Sequence, residues 1–407
     1  MSAKLISRSP ALSRRHYGMD WLRIGAFALL ILYHVGLAFS DLPYEFKATE
    51  TYEWTVYPLL LLNAWRLSLL FAISGYASAA IMERERSPAR FLGGRVARLG
   101  IPLVFAMAVV TAPQPWIWLT MAQDYDRSFG WLMLHDYFTF RNLDGIVVPA
   151  WMHMWFVAYL LGYTVVLCGL RLLPRVLRHA TRLGAERVLA GPLLLPLGIA
   201  LTYSVRLLPH GWSDAHNFVD DPAAHCAYFG VFLFGVLLRG SEDVRRAIAR
   251  QWKLALAIAV IGYGVVAGYE ARFPGDTPVP ATLEHGLLLG RAAQGWGAII
   301  ALFGIADLFW NREGRWRTML AEAVFPFFII HQTLILAIGY WLRPFGPTPL
   351  AEFAALVVGT AAGCAVFYAV GRRIVLLRPL IGLRRHARRM QAPIEPPPGA
   401  DPSGAPS

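Results

Sequence analysis

Ten stretches of about 20 mostly apolar residues follow one another along the chain, each long enough to cross a bilayer as a helix. They lie near 21–40, 56–82, 99–122, 150–171, 188–208, 222–239, 253–270, 285–310, 320–342 and 350–371. Hydrocarbon offers no water to backbone N–H and C=O groups, so such stretches fold as helices. The expected fold class is all-α: a polytopic integral membrane protein with about ten transmembrane helices. Composition agrees. Of 407 residues, 56% are hydrophobic and only 16% are charged, whereas a soluble chain is nearer a quarter charged. The first stretch follows a basic segment, yet it is too long for a signal peptide and lacks a small-x-small cleavage pattern. It is expected to be a retained helix.

The net charge of +12, from 38 Lys+Arg against 26 Asp+Glu, suits nucleic-acid binding or a membrane protein with basic cytoplasmic loops. The distribution favours the second, and no nucleic-acid partner is expected. The even-numbered connections and both tails hold 29 Lys+Arg, and the odd-numbered connections hold six: Lys47, Arg127, Arg141, Arg206, Arg272 and Arg343. Both termini and the even connections are therefore expected in the cytoplasm. The domain reading is a basic N-terminal tail over 1–19, a membrane domain over 20–380, and a basic, then Pro-rich, disordered tail over 381–407. Ser241-Glu242-Asp243 reads as the cap of a short cytoplasmic helix. The aromatic outer segment 123–149 reads as interfacial.

Cys168, Cys226 and Cys364 fall in apolar runs and imply neither disulfides nor a zinc site. The outer loop holding His210, Asp214, His216, Asp220, Asp221 and His225 matches no metal-ligand spacing, and no metal is expected. Walker loops, dinucleotide-binding glycine fingerprints and serine elbows are absent from the sequence.

Three arginines remain inside the spans: Arg23, Arg66 and Arg291. His34, His153 and His331 lie there too. Ionisable groups are costly in hydrocarbon and normally face a polar cavity that serves function. Arg23 and His34 are eleven residues apart, close to three helical turns, so they share a face about 16 Å apart along the axis. Asp20 lies one turn before Arg23. Arg95 and Arg98 are neighbours at a cytoplasmic mouth, where paired guanidinium forks suit phosphates or simply serve as positive-inside charge. Arg66 lies about 15 Å from its helix end, too deep to reach the headgroups. His153 opens the fourth span beside Trp155. Gln332 follows His331, and Arg291 shares a face with Gln294.

These residues resemble the membrane-bound acyltransferase-3 family. Arg23 and His34 within a helix opened by DWLR (20–23) match its signature. FAISGY (71–76), FLGGRVARLGIP (91–102), HMWF (153–156) and FIIHQ (328–332) continue the match in order, across about residues 18–342. The variants are most similar to the glucan biosynthesis protein C branch, whose members succinylate periplasmic glucans. Phe328 departs from the pattern, standing where the family often has Tyr.

The resemblance implies an O-acyltransferase of the bacterial plasma (inner) membrane. Cytoplasmic acyl-CoA, as acetyl-CoA or succinyl-CoA, is the implied co-substrate, and the hydroxyl of an extracytoplasmic carbohydrate is the implied acceptor. Arg23, Arg95 and Arg98 would hold the donor's phosphates. Its arm would rise through a polar channel to His34, the general base. Arg66 would stabilise the oxyanion or bind a succinyl carboxylate, with His331 a further catalytic group. His153, Trp155 and Arg291 would contact substrate. A sugar or lipid-precursor transporter is the runner-up, and a non-enzymatic scaffold stands third.

Overall fold

A computed structural model describes residues 16–85, 87–208 and 217–385. The expectations for tail residues 1–15 and 386–407, for Arg86, and for His210, Asp214 and His216 lie outside the described residues. Nine helices among those described are long and apolar enough to cross a membrane, or ten if one bent pair counts as a span. The strands among them form a hairpin of Asn142–Leu143 with Ile146–Val147. The chain is thus a polytopic helical membrane protein.

The helices are α1 (Tyr17–Ala38), α2 (Val56–Asn63), α3 (Arg66–Arg84), α4 (Pro88–Ala122), α5 (Trp155–Leu170), α6 (Arg175–Leu189), α7 (Leu194–Arg206), α8 (Pro222–Gly240), α9 (Glu242–Arg272), α10 (Ala281–Phe309), α11 (Arg317–Leu342) and α12 (Pro349–Arg373). Their starts follow local chemistry. Pro88, Pro222 and Pro349 open α4, α8 and α12, where a missing N–H costs nothing. Ser87 Oγ accepts from Arg90 N at 3.4 Å, capping α4.

Three expectations are refined. The second span is not one helix: it breaks after Asn63, and Arg66 becomes the first residue of α3. The fifth expected span, 188–208, joins the end of α6 to α7, and these two helices meet at 109°. Gly191-Pro192 occupies the break, where the residue before proline is driven out of helical geometry. At 13 residues, α7 is about 20 Å long by helical rise, shorter than the hydrocarbon layer. In α6, basic residues line a helix with no buried side chain, the pattern of an interfacial helix. Ser241 does cap a helix, its Oγ accepting from Val244 N. That helix runs on unbroken into the membrane as the 31-residue α9.

Close helix contacts set the frame around the site. Where α3 crosses α8, Gly75 faces the Phe232 carbonyl and Gly235 faces the Ala72 carbonyl, so closely that neither position has room for a Cβ. Such small-residue crossings are the usual way for helices to approach in lipid. On its other side, α1 packs against α10 and α11. Segment 123–149 folds as a cap: Leu132, Tyr137 and Val148 are buried with Ala112 and Leu119 of α4, while Leu134 and Phe140 are exposed. Beyond α12, Ile381 and Leu383 are buried.

Candidate functional site

His34 lies one turn before the end of α1, and His331 lies in the middle of α11. Packing of α1 on α11 brings His34 Nδ1 to 3.1 Å from His331 Nε2. His153, in the turn leading into α5, adds a third ring with its centroid 5.0 Å from that of His331. His153 is buried.

The partners of these rings order their hydrogens. His331 Nδ1 lies 2.7 Å from Phe328 O, and His153 Nε2 lies 3.0 Å from the same carbonyl and 3.2 Å from Ile329 O. A carbonyl only accepts, so both of these nitrogens carry hydrogen. For neutral rings the rest follows. His331 Nε2 is then an acceptor, His34 Nδ1 donates to it, and His34 Nε2 is left with a bare lone pair. On the other branch, His153 Nδ1 accepts from Gln114 Nε2 at 3.3 Å. Gln114 Nε2 also donates to Thr333 Oγ1 at 2.7 Å, and Thr333 donates to Val110 O at 2.8 Å. Buried polar groups of α4 and α11 thus fix the His153 and His331 rings, and His331 in turn orients His34.

Arg66 reaches the same region from the α2–α3 break. It is 3% exposed, and its Cζ lies 3.4 Å from the ring centroid of Tyr33, the neighbour of His34. That cation–π contact covers one face of the guanidinium. Its Nε and Nη1 have no hydrogen-bond partner, and no carboxylate among the described residues pairs with it. A cation at the first position of a helix also opposes the helix dipole. Arg66 is therefore a buried charge with no carboxylate partner among the described residues, beside a histidine with a free lone pair, an arrangement suited to negative charge developing nearby.

The remaining expected residues are placed as follows. Arg23 Nη2 donates to Ala321 O at 2.7 Å, joining α1 to α11 near their shared end. At that same end Arg95 is buried with Nε unpartnered, and Arg98 is exposed. The Arg98 carbonyl lies against Gly382 of the terminal segment. An apolar cavity of about 360 Å³ lies between α1, α11 and α12, lined from Ile24 and Leu320 up to Phe328 and His331. It runs from Ile24, next to Arg23, to His331, and its walls are apolar. Trp155 is buried in an aromatic cluster with Phe71, Tyr159 and Tyr228. Arg291 is half-buried on α10, on the face of Gln294, whose amide donates to Leu60 O and Leu61 O of α2.

Sequence reasoning missed Gln114, Thr333, Tyr33 and Tyr44. The signal available was a neutral polar group within an apolar run, far weaker than a charge. Among the described residues, no group of three or more His, Cys, Asp or Glu is placed to hold a metal. His225 instead contacts Tyr163 and Phe218 O, and Asp221 accepts from Tyr159.

A family model described as an acyltransferase domain matches residues 16–369. Glucans biosynthesis protein C of Salmonella schwarzengrund (strain CVM19633) is 23% identical over 377 residues, covering 89% of this chain and 94% of that protein. The proteins of the same name from Salmonella heidelberg (strain SL476) and Salmonella paratyphi B are 23% and 22% identical over the same shares. No solved structure matches the chain.

Proposed function

Because the chain belongs to the acyltransferase-3 family, we propose that it moves an acetyl or succinyl group from acyl-CoA to a hydroxyl of an extracytoplasmic glycan, with His34 as general base. The observation that carries this reading is the hydrogen-bond order Phe328–His331–His34, which leaves His34 Nε2 free to take a proton. The curated relatives' name supports a glucan as the acceptor. The charge bias of the loops supports a plasma-membrane protein with both termini, the basic tails and the Arg23 end of α1 in the cytoplasm.

Arg23, Arg95 and Arg98 bind the donor's phosphates, and its arm lies along α1 towards the histidines. As the acceptor oxygen attacks the thioester carbonyl, its proton passes to His34 Nε2. The tetrahedral oxyanion is stabilised by the Arg66 guanidinium. Collapse breaks the carbon–sulfur bond, and the leaving thiolate takes the proton from His34 to give free coenzyme A and an O-acyl ester. His331 is a positioning residue that holds the tautomer of His34. The Phe328 carbonyl holds His331 in turn and His153 packs edge-on against it, while Trp155 and Arg291 shape the walls facing substrate.

The test is purified full-length protein in detergent, supplied with acetyl- or succinyl-CoA and neutral glucan. Thiol release together with the matching mass gain on the glucan is expected. Failure of both donors to give either signal would overturn the reading and favour transport. Mass spectrometry of envelope glycans with and without the gene then identifies the natural acyl group.

A further inference from the structure

At the ends of α1, α4 and α11 a second cavity of about 490 Å³ opens, within the range of small-ligand sites. Its walls come from Tyr44, Glu45 and Thr49 of the loop after α1, Trp118 and Met121 of α4, and Glu352 of α12. Lys47 and Arg343 complete the charged lining. Unlike the crevice beside α1, it combines an indole, a thioether and several hydrogen-bonding groups.

Some of these groups are already committed to the fold. Lys47 Nζ donates to the carbonyls of Leu37, Ser40 and Leu42 and so closes the end of α1. Glu352 is 1% exposed and accepts from Thr49 N at 3.1 Å. The Tyr44 hydroxyl, by contrast, is buried without a hydrogen-bond partner. Glu45 accepts from Gln332 Nε2 at 3.4 Å and from its own backbone N–H, and its remaining lone pairs face the cavity. Burial raises the Glu45 carboxyl above its ordinary range and raises the Tyr44 hydroxyl well above its own.

This cavity adjoins the reacting groups. The Tyr44 ring lies parallel to that of His34, with 6.1 Å between centroids. Gln332, the contact of Glu45, follows His331 in α11. A ligand hydroxyl held by Tyr44 or Glu45 would be delivered from the loop side towards His34.

We propose that this vestibule is the acceptor subsite and takes one pyranose residue of an uncharged polysaccharide, with its apolar face on Trp118 and its hydroxyls on Glu45 and Tyr44. The inference rests on the acyl-transfer reading above. An indole flanked by acceptor and donor oxygens suits a sugar, which is apolar on its ring face and hydroxylated at its edge. Two carboxylates, Glu45 and Glu352, face two cations, Lys47 and Arg343, and that balanced lining suits a neutral ligand.

The test separates binding from turnover. Equilibrium dialysis of a tritiated, neutral glucose tetrasaccharide is carried out on the full-length H34A protein, alone and combined with W118A, W118F or E45Q. Acyl transfer is then measured for the three single variants. W118A and E45Q should weaken tetrasaccharide binding and raise the acceptor KM roughly tenfold or more, which is about 1.4 kcal/mol each. The donor KM should stay within about twofold, and W118F should recover most of the binding because a flat ring remains. A tetrasaccharide that fails to bind H34A, or binds it equally with W118A and E45Q added, overturns the subsite. Binding that depends on Trp118 and Glu45 without transfer by the parent protein upholds the subsite and overturns the acyl-transfer reading instead.

Discussion

Arg66 and Arg317 occupy equivalent positions in opposite surroundings. Each is the first residue of a helix, and each is buried, at 3% and 1% exposed. Arg317 pairs with Asp20 of α1 and with Glu313 one turn before it, and its Cζ lies 4.5 Å from the Tyr17 ring. Arg66 has the face of Tyr33 and no carboxylate among the described residues. A buried arginine with two carboxylates ties α1 to α11. One without a carboxylate costs stability in the resting protein and gains a partner only when negative charge forms beside it. The contrast separates an arginine whose partners serve the fold from one that the proposed reaction would use.

Four variants test that division, taken from the largest expected effect to the smallest. His34→Ala should lower acyl transfer by roughly 10²–10⁴, the range for a general base, with the protein still eluting as a folded species in size-exclusion chromatography. Transfer at the parent rate would remove His34 from its role. Arg66→Leu should lower kcat by roughly 10²–10³ and leave the melting temperature unchanged or raised. A lower melting temperature with full kcat would erase the distinction from Arg317. Arg317→Leu should do the reverse, costing roughly 3 kcal/mol because Asp20 loses its buried partner, as read by thermal unfolding in detergent. Arg98→Ala should raise the donor KM only a few-fold, since an exposed guanidinium is worth about 1 kcal/mol, with kcat and acceptor KM held. A change confined to kcat would move Arg98 away from the donor.

The membrane helices were legible because one apolar run of sufficient length is enough to infer each. The shared face of Arg23 and His34 was legible because it depends only on helical period along α1. The convergence of His34, His153 and His331 was not, since it requires the packing of α1, α5 and α11 across nearly 300 residues. The break before Arg66 carries neither Gly nor Pro, so it had no local marker. Gly191-Pro192 was such a marker, and the apolar residues on both sides of it masked the bend. Gln114 and Thr333 were hidden for a different reason: an uncharged side chain in an apolar run is compatible with simple packing until its partners are seen.

A membrane that stores an ion gradient is short-circuited by any continuous file of water through it. The crevice that leads from Ile24 and Leu320 to His331 is walled by Phe, Leu, Ile, Val and Ala side chains, with His331 at its upper end. An ordered water needs two to four polar partners, and these walls offer none along the way. A thioester arm can occupy such a slot, but a proton has no relay along it. On the proposed reading, a proton taken up by His34 finds no path away from the histidines along this crevice. The apolar lining that would seat a thioester arm in the proposed reaction would also insulate the bilayer beside the histidines.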